Sequence, residues 1–309
     1  MIKKKFEAIN AIKISLTFLM CLACCDATAV SIAEASELFR PQSNLVTGQL
    51  LHTEQESEPN QITINSDESV SQINDLEFIS RKDIVVVKFA QNSRVASIGL
   101  NAFSLTSLQT MTIPRSVQTL AEGCFSNTRF LKNIFFEDNS TLTKIGAYAF
   151  SSGGIEKIIV PKLVTSLGNN CFHLCVNLAT VEFEEGSQLT NLGSLCFFGS
   201  GITAISIPQN VTKIGMHCFN RTFALKSVRF ETEKLEKLES FLFFNSAIEE
   251  IVVPRGVQEI GAYCFTRSTL KSIQRDSDEP IIVAQNAFSD CPELTMANIS
   301  PLLLKFLKI

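Results

Sequence analysis

The chain of 309 residues lacks tryptophan and has only two tyrosines, yet it has 24 phenylalanines. Tyrosine and tryptophan are the aromatic residues that are enriched at binding surfaces. Phenylalanine carries no polar group and suits a dry interior. We therefore expect most of the phenylalanines to lie in the core of the protein.

Charged residues are also scarce, at 19% of the sequence, where about a quarter is usual. The formal net charge of −4 argues against a nucleic-acid partner, because phosphates call for a basic face. We identify no apolar run of the roughly 20 residues that a transmembrane helix needs.

Histidine occurs three times, at His52, His173 and His217. None of the three has the nearby partners that a catalytic triad requires. The sequence contains no P-loop, no dinucleotide-binding glycine motif and no zinc-protease motif. We therefore predict a protein that is not an enzyme and that uses no cofactor and no metal ion. An enzyme whose site is built on loops is the weakest alternative.

The N-terminus has the composition of a secretory signal peptide. Three lysines precede an apolar run over residues 14–25, and small residues follow at 27–29; this order is typical of a signal peptide with its cleavage site. We predict that residues 1–29 are cleaved. One alternative is a buried apolar cap helix that is retained, and another is lipid attachment at Cys24 or Cys25.

Residues 30–80 are polar and acidic, which predicts a polar linker or an irregular N-terminal cap. Beyond them a pattern of apolar residues at positions one, four and six recurs every 22 to 24 residues, which indicates a repeat protein. The pattern begins at Ile84, Leu108, Leu131, Ile155, Leu178, Ile202, Leu225, Ile248, Leu270 and Leu294.

A phenylalanine occurs late in each repeat, and a proline follows every second strand. Because proline has no N–H for a ladder hydrogen bond, it belongs at the end of a strand. The true period is thus a pair of repeats of 46 or 47 residues. The phenylalanines are Phe103, Phe125, Phe150, Phe172, Phe197, Phe219, Phe243, Phe265 and Phe288, and the prolines are Pro114, Pro161, Pro208 and Pro254.

Residues four and six of the pattern point to the same side of a short strand. One unit cannot bury this face alone, but stacked units form a continuous core. We predict a repeat solenoid over residues 81–300, with about ten repeats of 22–25 residues. The apolar residues 301–309 are predicted to cap its end.

Residues 202–219, ITAISIPQNVTKIGMHCF, resemble the BspA-type leucine-rich repeat, and the resemblance extends over about residues 84–299. It implies a β-rich, right-handed solenoid with short parallel strands on the concave face and irregular or short strands on the convex side. Members of this family are surface or secreted proteins of bacteria and mucosal protists, and they are associated with adhesion to host proteins and cells. Many have a C-terminal membrane anchor, and we identify none here.

Cysteine shares one position of the repeat, just before the phenylalanine, with alanine, and a site that accepts both is small and buried. We therefore predict reduced, buried thiols. A disulfide remains open because a secreted chain favours disulfides, and Cys171 with Cys175 is the nearest pair. A zinc site at Cys171, His173 and Cys175 is less favoured, since no second ligand pair follows.

Solenoids usually bind along the concave face, where the residue between positions four and six points outward. Phe135 and Ile159 are apolar members of this outward row and form a candidate contact patch, unless they only favour strand structure. Glu182, Glu184 and Glu185 could act as paired acids, but other turns are acidic too, which favours a solvated turn. The candidate partner-binding residues are Phe135, Ile159, Glu182, Ser206, Arg229 and Val252.

Glycosylation sequons in predicted turns mark Asn139, Asn210 and Asn220 as candidate acceptors. Together these features predict a secreted or cell-surface protein that mediates adhesion or recognition. It would bind other proteins, among them host surface or matrix proteins, or glycans. The alternative is an intracellular, cytoplasmic interaction scaffold that retains residues 1–29.

Overall fold

The computed structural model describes residues 61–64, 70–275 and 277–304. Contacts divide the chain into two units, 1–50 and 51–309, and all the described residues belong to the second. The predicted signal peptide, most of the predicted linker and the end of the predicted C-terminal cap lie outside the described residues.

The second unit is a parallel β-solenoid, as the repeat pattern predicted. Its strands are numbered along the chain, and the odd-numbered ones form a ten-stranded parallel sheet in sequence order. These strands are β1 (Gln61–Ile64), β3 (Val86–Phe89), β5 (Thr110–Ile113), β7 (Asn133–Phe136), β9 (Lys157–Val160), β11 (Thr180–Phe183), β13 (Ala204–Ile207), β15 (Ser227–Phe230), β17 (Glu250–Val253) and β19 (Ser272–Arg275).

The even-numbered strands have two residues each and form the return path. They make a seven-stranded and a three-stranded parallel sheet. The first comprises β2 (Gln72–Ile73), β4 (Ser97–Ile98), β6 (Thr119–Leu120), β8 (Lys144–Ile145), β10 (Ser166–Leu167), β12 (Asn191–Leu192) and β14 (Lys213–Ile214), and the second β16 (Lys237–Leu238), β18 (Glu259–Ile260) and β20 (Ile282–Val283).

The phenylalanines of the return path stack in one column through the core. From Phe78 to Phe288, successive ring centroids are 5.0 to 5.6 Å apart and the rings are nearly parallel. Those from Phe103 to Phe265 are fully buried, which confirms the predicted inward row. Each ring covers the face of the next, so the column is a continuous apolar spine.

The solenoid begins earlier than the sequence pattern predicted. Strand β1 pairs with β3 over four residues, β2 pairs with β4, and the Phe78 ring stacks on Phe103. Residues 61–64 and 70–80 are therefore a turn of the solenoid, not a linker. Their apolar residues are spaced like those of later repeats, but polar neighbours obscure the pattern.

The last predicted strand does not form. A strand was expected in the repeat that opens at Leu294, but residues Met296–Asn298 form a 3-10 helix, and Ile299 makes only an isolated bridge with Ile273. This repeat has Ala297 where the others place a larger inward residue, so little side-chain packing would hold a strand there. A short helix, α1 (Pro301–Leu304), follows.

Proline divides the ten-stranded sheet into doublets of strands. Four strands end directly before a proline: β5, β9, β13 and β17. Each of them pairs with the odd-numbered strand before it over only one or two residues. Every other pairing in this sheet covers four. In two fully paired neighbouring strands, the residue that follows the second strand donates its backbone N–H to the carbonyl of the last residue of the first strand. Glu184 donates to the Val160 carbonyl in this way, and Glu231 donates to the Ile207 carbonyl. Proline has no N–H for this bond, so the ladder opens there.

Candidate binding surface

The outward row of the ten-stranded sheet is exposed from β3 to β19, as the strand alternation predicted. In each strand from β3 to β19 the second residue is buried and the third faces solvent. The third residues are Lys88, Thr112, Phe135, Ile159, Glu182, Ser206, Arg229, Val252 and Gln274.

Three large apolar side chains of this row are exposed: Phe135 by 55%, Val252 by 52% and Ile159 by 46%. Phe135 and Ile159 lie on neighbouring strands, β7 and β9, but these strands are paired only at Asn133 and Lys157. The two side chains thus lie on either side of an opening in the ladder.

Further exposed apolar residues lie outside the predicted row. Phe130, Val176 and Phe223 are 58%, 65% and 67% exposed, and each comes one or two residues before the apolar residue that opens a repeat. Sequence reasoning missed Phe130 and Phe223 because it placed phenylalanine in the core by default, and it did not consider Val176. Their recurrence in every second repeat was the available signal.

The other predicted candidates, Glu182, Ser206 and Arg229, lie together in one groove of about 700 Å³. The groove runs along β11, β13 and β15 and the turns that follow them, and the pairing of β11 with β13 is limited to Thr180 and Ala204. It is also lined by Phe183, Pro208 and the turn after β11.

Four carboxylates and one guanidinium line this groove. Glu182 accepts a hydrogen bond from Lys157 Nζ at 2.7 Å, and Glu184 Oε2 accepts one from the backbone N–H of Lys162 at 2.9 Å. Within the described part of the chain, Glu185, Glu231 and Arg229 make no ion pair. Among the charged groups of the groove that make no ion pair, there are therefore two carboxylates, Glu185 and Glu231, and one cation, Arg229.

Ion pairs between neighbouring strands border the sheet on the side where its strands begin. Glu249 lies between Lys226 and Lys271, whose Nζ is 2.8 Å from Glu249 Oε2. Hydrogen bonds from the two ammonium groups lower the pKa of Glu249 to about 2. Lys132 and Glu156 form a similar pair at 3.3 Å. These charges are paired within the protein, whereas the groove holds two carboxylates, Glu185 and Glu231, that make no ion pair among the described residues.

The three candidate glycosylation sites differ in accessibility. Asn139 is exposed in a turn with a φ of 59°. Asn210 is half-buried, and its Nδ2 donates to the Ser187 carbonyl. Asn220 is buried, and its amide is hydrogen-bonded to His217 Nδ1. The prediction for Asn220 conflicts with this burial, because an acceptor amide must be reachable from solvent.

The two described histidines pack against aromatic rings of the return path. His173 stacks on Phe198 at 5.0 Å, and burial lowers the pKa of His173 to about 4. His217 stacks on Phe241 at 4.6 Å, and burial lowers its pKa as well. Both positions are explained by packing.

The seven cysteines that the structure describes are free thiols. All but Cys291 are buried, and Cys175 Sγ donates to the Phe150 carbonyl at 3.0 Å. The arrangement agrees with the prediction that cysteine fills small sites in the core. Among the described residues, no helix has the length and apolar character needed to cross a membrane.

Comparison with known proteins supports the resemblance seen in the repeats. The family described as "BspA type Leucine rich repeat region" matches residues 55–179 and 190–306, in six copies. No curated protein matches the chain.

Several solved structures are similar to this chain. The pneumococcal vaccine antigen PcpA is 23% identical, with a TM-score of 0.50, and the match covers 75% of this chain and 66% of that one. A leucine-rich repeat protein from Bacteroides ovatus is 19% identical, with a TM-score of 0.48 and coverages of 75% and 77%. A leucine rich cell surface protein from Faecalibacterium prausnitzii is also 19% identical, with a TM-score of 0.42 and coverages of 77% and 81%.

Proposed function

Because the chain belongs to the BspA-type leucine-rich-repeat family, we propose that it is a non-enzymatic secreted or cell-surface protein that mediates adhesion or recognition. It binds other proteins, or their glycans, through the outward row of its ten-stranded sheet. Host surface and matrix proteins are the first partners to examine.

The observation that carries this proposal is the exposed apolar pair Phe135 and Ile159. The outward face of a half-solvated sheet is ordinarily polar, and exposed apolar groups with polar neighbours mark contact sites. The signal-like N-terminal sequence supports export.

A binding experiment tests the role of this face. Purified host surface and matrix proteins are immobilised, and the chain is compared with the double variant Phe135→Ser/Ile159→Ser. We expect binding to one or more of them, lost in the variant while its thermal stability stays near wild type. The matched control is Val176→Ser/Phe223→Ser, which removes equally exposed apolar groups outside the strands and should bind normally. Equal binding by all three proteins would reject the outward row as the site.

The second candidate is an intracellular interaction scaffold that retains residues 1–29. It is favoured by the free thiols of the core, because the cytosol keeps cysteines reduced. N-terminal sequencing of the protein from medium and from cells separates the two. A chain beginning near Val30 in the medium supports export, whereas an intact Met1 found only in cells supports the scaffold.

We propose Asn139 as the preferred glycosylation site if the source cell glycosylates exported proteins. Its exposure supports this choice over Asn210 and Asn220. Peptide mapping of the natural protein tests it, and glycan on Asn220 would contradict it.

A further inference from the structure

We infer that the outward face of the sheet binds an extended segment of a partner protein that seats a lysine or arginine in the groove and an apolar side chain at Phe135 and Ile159. This inference rests on the proposed function, since it assumes that the partner occupies this face. It adds the chemistry and the spacing of the segment that is recognised.

The groove exists because Pro208 interrupts the sheet. The neighbouring turn shows the uninterrupted arrangement, in which Glu231 N–H donates to the Ile207 carbonyl at 2.9 Å. Pro208 cannot make the same bond to Phe183, and no backbone N–H in the described part of the chain donates to the Phe183 carbonyl. The Phe183 carbonyl on the groove wall therefore lacks this donor, and in our inference a donor from the partner takes its place.

The charge of the groove selects a basic side chain. Its carboxylates at Glu182, Glu184, Glu185 and Glu231 face a single cation, Arg229. Glu182 is already paired with Lys157, but Glu185 and Glu231 are exposed and make no ion pair within the described residues. Lysine and arginine carry only donors, so they suit a site lined by carboxylates and a free carbonyl.

The spacing of the two openings defines the partner segment. The opening between β7 and β9 and the near side of the groove, between β11 and β13, are two strands apart, which is about 10 Å at the usual spacing of strands. Three residues of a polyproline II segment span about 9 Å and return the side chain to the same side. The partner therefore carries an apolar residue and a basic residue three positions apart.

The test measures fluorescence anisotropy of labelled nonapeptides built on polyproline. One peptide has leucine and arginine three residues apart, a second has glutamate in place of the arginine, and a third has the leucine and arginine five residues apart. We expect the first peptide to bind more tightly than the other two, and more weakly at high salt. Preference for the glutamate peptide, equal binding of all three, or no binding at millimolar concentration would overturn the inference.

Variants of the groove give effects of opposite sign. Glu185→Gln/Glu231→Gln should weaken binding of the first peptide by about three- to tenfold, since exposed ion pairs contribute modestly. Arg229→Gln should strengthen it, because a repelling cation is removed. The control Glu122→Gln/Glu236→Gln removes two exposed carboxylates of the return path and should leave binding unchanged. If the groove variants leave peptide binding unchanged, the inference is wrong.

The same variants distinguish this inference from the proposed function. If binding of a host protein depends on Phe135 and Ile159 but is indifferent to all the groove substitutions, the proposed function stands and the inference falls. If host-protein binding is also indifferent to Phe135 and Ile159, both fall.

Discussion

Pro208 follows β13 at the position from which a backbone N–H would donate to the carbonyl of Phe183. At the equivalent positions Glu137 and Glu184 donate to the preceding strands at 3.0 and 3.1 Å. The missing donor removes the last hydrogen bond between β11 and β13, and the pairing of these strands covers one residue pair. One substitution at residue 208 should therefore change the shape of the groove.

The first prediction is that Pro208→Ala closes the ladder. The new N–H should bond to the Phe183 carbonyl and exchange with deuterium slowly. Stability should change little, because a hydrogen bond contributes about 1 kcal/mol and the lost proline rigidity costs about as much. Hydrogen exchange followed by NMR measures the protection. Fast exchange of the new backbone amide at position 208 would show that the opening has another cause.

The second prediction concerns the phenylalanine spine. Phe172 is fully buried, and its ring lies between Phe150 at 5.4 Å and Phe197 at 5.3 Å. Phe172→Ala should lower the free energy of unfolding by about 3–5 kcal/mol, because it removes apolar contacts and leaves a cavity. Phe223→Ala, at a phenylalanine that is 67% exposed, should change it by less than about 0.5 kcal/mol. Equal urea midpoints for the two variants would reject the spine as the main core.

The inward or outward orientation of each strand residue could be predicted because it depends on the local sequence alone. Positions four and six of each repeat alternate, and this alone places Val87 inward and Lys88 outward. The first turn was missed because Ile73 and Phe78 stand among polar residues that hide the same spacing. The last strand was predicted wrongly because Leu294 and Ile299 match the pattern although the residues between them pack too little.

The candidate site could be predicted only in part, because its shape depends on residues distant in sequence. The sequence places Pro208 at the end of a strand, but the effect falls on Phe183, which is one repeat earlier. The burial of Asn220 likewise follows from its bond to His217, which a sequon does not reveal. The exposure of single residues could be predicted from the periodicity of the sequence. The groove could not, because its shape arises only when three turns of the solenoid are stacked.

The third prediction is a pH dependence that arises from His173. Burial lowers the pKa of His173 to about 4 in the folded protein, whereas about 6.5 is usual in an unfolded chain. Above about pH 7.5 the residue is almost entirely neutral in both states and has no effect. As the pH falls from 6.5 to 4, the unfolded chain takes up the proton more readily, so the folded state loses up to about 3 kcal/mol.

The variant His173→Phe isolates this effect, because the same position of the next repeat is occupied by Phe198. Between pH 6.5 and 4 the stability of the wild type, measured by urea unfolding, should fall relative to that of the variant. Above about pH 7.5 the difference between the two proteins should be constant. A difference that stays constant over the whole range would contradict the burial of a neutral His173.

The fourth prediction is that Cys291 reacts before every other described cysteine. It is half-buried, whereas the other six are buried, and burial raises the pKa of Cys175 to about 12. Since the thiolate is the reacting species, iodoacetamide at pH 8 should label Cys291 in the folded protein and the six others only in denaturant. Peptide mapping by mass spectrometry identifies each labelled site. Equally fast labelling of Cys171 in the folded protein, or a cross-linked peptide joining Cys171 and Cys175, would show that these core thiols are accessible or oxidised.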